Sequence, residues 1–126
     1  MKIKGVSGIT CYVEDLDRTA KFYETLGFET RKRDANHATV YSNWFWIDFL
    51  AINNEERANF REEDPLSPKG TGVFLYLSVD NVDEFHSALL AAGLKPASEP
   101  KDQPWGNREF MIRDPDGYKL MIFKRK

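Results

Sequence analysis

The two stretches "YVEDLDRTAKFYETLGF" (Tyr12–Phe28) and "LSVDNVDEFHSALLAAGL" (Leu77–Leu94) decide the fold when one is laid over the other. Val13 falls on Val79, Leu16 on Val82, Asp17 on Asp83, Gly27 on Gly93 and Phe28 on Leu94, every pair 66 residues apart and without a gap. Each stretch reads as the end of a strand, a helix cap, an amphipathic helix and a glycine stop. In the first, Leu16, Thr19, Tyr23 and Leu26 recur at helical spacing; in the second, Val82, Phe85, Leu89 and Ala92 take the same places. Asn81 with Glu84 has the arrangement of a capping box. A fixed offset with matched roles is the mark of an internal duplication.

Each helix is followed by strand-like segments. After Gly27 come "FETRKRD", "HATVYSN" and "WFWIDFLAIN"; after Gly93 come "LKPASEP", "NREFMIRD" and "YKLMIFKRK". The tetrad "DPDG" (Asp114–Gly117) is a strong hairpin turn, and Ser42-Asn43 turns the corresponding hairpin of the first half. The fold expected is α+β, two βαβββ modules in one domain of 126 residues: residues 1–53, a linker at 54–70, and residues 71–126. The linker stretch "NNEERANFREEDPLSPKG" is charged and broken by proline; it reads as solvated surface, with Phe60 available to fold over a pocket.

Composition narrows the function classes. A net charge of -2 lacks the basic footprint that nucleic acid requires, and it offers cations no strong field. No apolar run approaches the roughly 18 residues of a membrane span, and the N-terminus has no signal-type apolar region. Cys11 is the only cysteine, so neither a disulfide framework nor a cysteine zinc cluster forms within one chain. It reads as a small buried residue, and a cytoplasmic location is expected.

The duplicated layout, "YVEDLDRTAKFYETLGF" and the ending "FMIRDPDGYKLMIF" resemble the vicinal-oxygen-chelate superfamily of glyoxalases, extradiol dioxygenases, fosfomycin-resistance enzymes and bleomycin-resistance proteins. That resemblance implies half-barrel sheets around a cavity and a homodimer. Metal-dependent members of the family place a histidine eight positions before the leucine of "DL", which here is Gly8. The matching position in the second module is Phe74, and the usual last-strand glutamate is Met121. Glycine has no side chain, phenylalanine no lone pair, and a thioether is a poor ligand for hard or borderline ions. No metal and no cofactor are therefore expected.

The run "QPWGNREFMIRDPDG" (Gln103–Gly117) is similar to the bleomycin-resistance proteins, where the loop tryptophan stacks on the drug. Carried over by position, Trp105 is the stacking platform, and His37 stands where an aromatic closes the other side. The residues support this independently: a Pro-Trp-Gly loop presents a wide π surface at low entropic cost. Loop tryptophans also plug cores and dimer seams, and that alternative stays open. Strand alternation places Phe74, Tyr76 and Ser78 on the cavity face together with Met121 and Phe123, and Trp46 and Asp48 on the cavity face of the first module. Asp48 reads as a hydrogen-bonded member of the pocket wall or as a ligand contact; a single carboxylate makes a weak metal site. His86 is placed on the polar side of the second helix. The faces of Arg108, Glu109 and Arg113 are left open, because the register across "DPDG" depends on a bulge.

The expected function is metal-independent binding of a small molecule, a planar aromatic or glycopeptide-type antibiotic, through Trp105, His37, Trp46, Asp48, Phe74, Tyr76, Ser78 and Met121. No residue is assigned a catalytic role. Two alternatives stand beside it: a lyase, isomerase or dioxygenase with a divergent metal site using Asp48 and His37, and a metal-free enzyme or structural dimerisation module.

Overall fold

The computed structural model describes residues 1–52 and 69–126. Residues 54–68 of the linker, Phe60 among them, therefore lie outside the described residues. The chain divides into two compact units, Met1–Ser67 and Pro68–Lys126.

The first unit runs β1 (Gly8–Val13), α1 (Leu16–Thr25), β2 (Glu29–Arg33), β3 (His37–Ser42) and β4 (Phe45–Ala51). Its sheet has the order β1-β4-β3-β2, with β1 and β4 parallel and the others antiparallel. The second unit repeats this as β5 (Phe74–Ser78), α2 (Val82–Ala91), β6 (Lys101–Asp102), β7 (Asn107–Arg113) and β8 (Lys119–Arg125), in the order β5-β8-β7-β6. The duplication seen in the sequence is thus a duplication of topology.

Both helices start and stop by the same chemistry. The side chains of Asp15 and Asn81 accept from the backbone N–H groups of Arg18 and Glu84, each at 3.0 Å, which satisfies a donor left over at the helix start. At the other end Phe28 N–H donates to Tyr23 C=O and Leu94 N–H to Leu89 C=O, at 3.0 and 2.9 Å. This closing bond needs a left-handed residue before it, supplied by Gly27 (φ 104°) and Gly93 (φ 85°).

Each helix covers one face of its own sheet. Leu16, Thr19, Tyr23 and Leu26 are all buried, and the Tyr23 ring meets Phe49 with centroids 4.7 Å apart. Ala38, Val40 and Ile47 complete that layer, and each such apolar side chain contributes about 1.5–3 kcal/mol when fully buried. In the second unit Val82 and Leu89 pack with Phe110, Ile112, Leu120 and Ile122 in the buried layer.

Two expectations fail here. His86 is not on the polar side of α2: it is 6% exposed, its ring set edge-on to Phe110 at 4.9 Å, while Phe85 is half-buried and Ala92 exposed. The helix turns its 82, 86 and 89 positions inward. "LKPASEP" is not a strand either. Pro96 and Pro100 lack the donors a ladder needs, so the segment reaches β7 only through Ala97 N–H to Met111 C=O (2.7 Å) and Met111 N–H to Ser98 Oγ (2.9 Å).

Candidate functional site

A sheet covered by a helix on one side has an open face on the other, and alternation determines which residues it carries. On the open face of the second sheet, β5 contributes Phe74, Tyr76 and Ser78, and β8 contributes Lys119, Met121, Phe123 and Arg125. Their β7 partners in register are Arg113, Met111, Glu109 and Asn107. The alternation is visible in burial: Phe74, Tyr76 and Ser78 are exposed while Leu75 and Leu77 between them are less so. Tyr76 meets Phe123 edge-to-face at 5.4 Å, and the Lys119 ammonium lies 4.4 Å from the centre of the Phe74 ring.

Four of the expected residues, Phe74, Tyr76, Ser78 and Met121, therefore share one face. Trp105 belongs to its far end. The turn Gln103–Gly106 joins β6 to β7, closed by Gly106 N–H to Gln103 C=O at 3.1 Å and Gln103 N–H to Asn107 C=O at 2.7 Å. Lys126 N–H donates to Gly106 C=O at 2.9 Å, tying the turn to the end of β8, and Gly106 takes φ 98°. Proline presets one dihedral of the turn and glycine supplies the left-handed one. The indole between them is 63% exposed. Phe74 pairs with Lys119, six residues along β8 from Arg125, so it lies about 20 Å from the turn at the usual rise per residue. Ser78, Phe123, Asn107 and Glu109 occupy the end nearer Trp105.

The open strand register also places the three residues whose faces the sequence left undecided. Gly117 (φ 97°) and the Asp114 carboxylate, which accepts from Asp116 N–H and Tyr118 N–H at 2.9 and 3.0 Å, set the β7–β8 turn. Glu109 and Arg113 then fall on the open face and Arg108 on the other. Arg108 donates to Asp83 (3.1 and 2.9 Å) and Asp102 (3.1 Å), while Lys126 donates to Asp102 at 2.7 Å. The Arg108 guanidinium holds the Asp83 carboxyl below its ordinary range; for Asp102 the Lys126 ammonium leads and Arg108 adds to it. These bonds in turn raise Arg108 above the usual arginine range. Glu109 is 2% exposed and lies beside Phe123 across the strand pair. Nothing in the period-two pattern marks it, because a glutamate on an alternating strand ordinarily faces water.

On the open face of the first sheet, Trp46 and Asp48 stand two residues apart on β4, next to Gly8 and Thr10 of β1 and Tyr41 and Thr39 of β3. Thr39 Oγ1 donates to Asp48 Oδ1 at 3.0 Å. His37 pairs with Leu50, further along, and its Nδ1 lies 3.7 Å from Asp34. That carboxylate also accepts from the Asn36 and His37 N–H groups, and these backbone bonds hold the Asp34 carboxyl below its ordinary range.

The position that bears the family's first metal ligand is sterically closed. A Cβ built on Gly8 would run into the Trp46 ring and backbone carbonyl. With Phe74 and Met121 at the other two places, these residues do not fit a divalent ion. Among the described residues, no three His, Cys, Asp or Glu side chains gather as a metal would require. No helix among them is long and apolar enough to cross a membrane.

The profile of the Glyoxalase/Bleomycin resistance protein/Dioxygenase superfamily matches residues 5–122. The chain belongs to this superfamily. Among its relatives, a bleomycin resistance protein of Klebsiella pneumoniae is 27% identical over 119 residues, covering 89% of this chain and 86% of that one. A superfamily structure from Nocardioides superposes with a TM-score of 0.83 at 19% identity, over 99% of this chain and 85% of that chain. A bleomycin-binding protein complexed with bleomycin superposes with a TM-score of 0.69 at 24% identity, over 99% and 100% of the two chains. These comparisons bear out the superfamily and its α+β fold of paired βαβββ modules.

Proposed function

We propose that this superfamily member is a metal-independent binding protein for a planar aromatic small molecule, of the kind presented by bleomycin and related glycopeptide-type antibiotics. The observation that carries the reading is Trp105: an indole left 63% exposed on a turn whose backbone bonds are made within the unit. An exposed apolar ring costs solubility, and a rigid turn removes most of the ordering entropy that binding would otherwise meet. The likeness to bleomycin resistance proteins over most of the chain supports the ligand class.

Trp105 stacks the ligand in this reading. Tyr76, Ser78, Met121 and Phe74 extend the apolar face of the second sheet, and Trp46, Asp48 and His37 are contacts on the first. Gly8, Phe74 and Met121 support metal independence, since the first two offer no donor and the thioether of the third is a poor ligand for hard or borderline ions. Homodimerisation belongs to the same proposal, supported by the exposure of Val73, Phe74 and Tyr76; so does a cytoplasmic location. Sedimentation at two protein concentrations tests the former.

The experiment is a bleomycin titration of chelator-treated protein followed by tryptophan fluorescence, with corrections for drug absorption, in the native chain and Trp105→Ala. Saturation near one equivalent per chain, lost in the variant, is the expected result. No response up to roughly 100 μM drug, a limit near −5.5 kcal/mol, removes bleomycin as ligand.

A further inference from the structure

The end of the open face nearer Trp105 carries a carboxylate that the binding reading has not used. Glu109 lies on the face of β7 turned away from α2, since its neighbour Phe110 is the residue that meets His86. It is 2% exposed, yet its hydrogen bond is a long one, from Asn107 Nδ2 to Oε2 at 3.3 Å. Asn107 is neutral, and a carboxylate has about four acceptor sites. Among the described residues no cation forms an ion pair with Glu109. Lys101, its register partner on β6, and Arg125, on the same face, are both exposed. Arg113 donates instead to Gly117 C=O, and Lys119 to Thr71 C=O.

A shielded carboxylate with a single weak neutral donor is under-compensated, and a further partner is what such a group calls for. The neighbours specify the partner. Phe123 lies directly across the strand pair from Glu109, with Tyr76 edge-on to it, so an incoming cation meets both a carboxylate and aromatic faces. Resting on the binding reading above, we propose that Glu109 is its anionic subsite. It receives a protonated amine or guanidinium attached to the planar group that stacks on Trp105. Asn107, two residues nearer the turn on the same face, orients the carboxylate for that contact.

Calorimetry with three matched probes tests this: 2-(2-naphthyl)ethylammonium, 2-(2-naphthyl)ethanol and 2-naphthylacetate. The native chain is expected to bind the ammonium at least tenfold more tightly than the alcohol, and the carboxylate most weakly. In Glu109→Gln, ammonium affinity falls to the level of the alcohol while the alcohol is unaffected. Should that variant fail to fold, the order among the probes in the native chain decides by itself. Equal binding of ammonium and alcohol by the native chain, or a preference that survives Glu109→Gln, overturns the subsite and leaves the stacking reading standing. Binding of none of the three overturns both.

Discussion

Trp46 lies over Gly8, in register across the parallel β1–β4 pair, so that the indole fills the space any side chain at residue 8 would need. The relationship converts a position that holds a metal ligand in metal-dependent relatives into part of an aromatic surface. It also makes the conversion hard to reverse. Gly8→His should destabilise the first unit by about 1–3 kcal/mol through overpacking. Zinc, manganese or nickel should leave its melting temperature unchanged. A metal-dependent rise in melting temperature would show that the site can be rebuilt.

The helix-facing layer of the first sheet should respond in the opposite way to the open face. Phe49 is fully buried against Tyr23, and Phe49→Ala is expected to cost about 3–5 kcal/mol in urea unfolding. Trp105→Ala, on an exposed turn, should change stability by no more than about 0.5 kcal/mol. Near-equal losses in the two variants would mean that Trp105 packs rather than presents.

Acid should weaken the second unit through Asp83 and Asp102. Both carboxyls are held below their ordinary range in the folded chain by Arg108 and Lys126. A lowered folded value means that the contribution is complete above the unfolded carboxylate range, near pH 4, and is lost as pH falls below it through the folded values. Both aspartates are solvent-exposed, so the effect is modest and salt-sensitive. Urea midpoints measured at pH 7, 4 and 2.5 should fall less steeply on acidification in Arg108→Met than in the native chain. Parallel curves would remove the network from the acid response.

The turn after β7 depends on a backbone that only glycine adopts cheaply. Gly117 has φ 97°, and Gly117→Ala should cost about 1–2 kcal/mol and loosen the register of β8. Amide hydrogen exchange along Lys119–Arg125 measures this; unchanged protection would mean that the Asp114 carboxylate holds the turn alone.

Much of this architecture was legible because it is periodic or repeated. The offset of 66 residues aligned the two modules, and Asn81 marked the start of the second helix; the structure puts the cap of the first, Asp15, at the matching position. The same offset sets His86 on Ala20, which is buried, so the repeat held the signal for His86 that its chemistry obscured. Alternation placed Phe74, Tyr76, Ser78 and Met121 on one face but says nothing of distance along it, and Phe74 proves to be far from the Trp105 turn. Glu109 was illegible for another reason. Its face follows from a register set by Gly117, and its burial depends on packing that a strand pattern does not encode.

Three tryptophans make the central claim directly observable, since Trp44, Trp46 and Trp105 each give one indole N–H resonance. Chelator-treated, 15N-labelled protein should be titrated with bleomycin while those three signals are followed. Trp105 is expected to shift progressively to saturation, whereas Trp44, 70% exposed on the β3–β4 hairpin, stays in place. A saturating complex in which the Trp105 signal does not move would contradict the account.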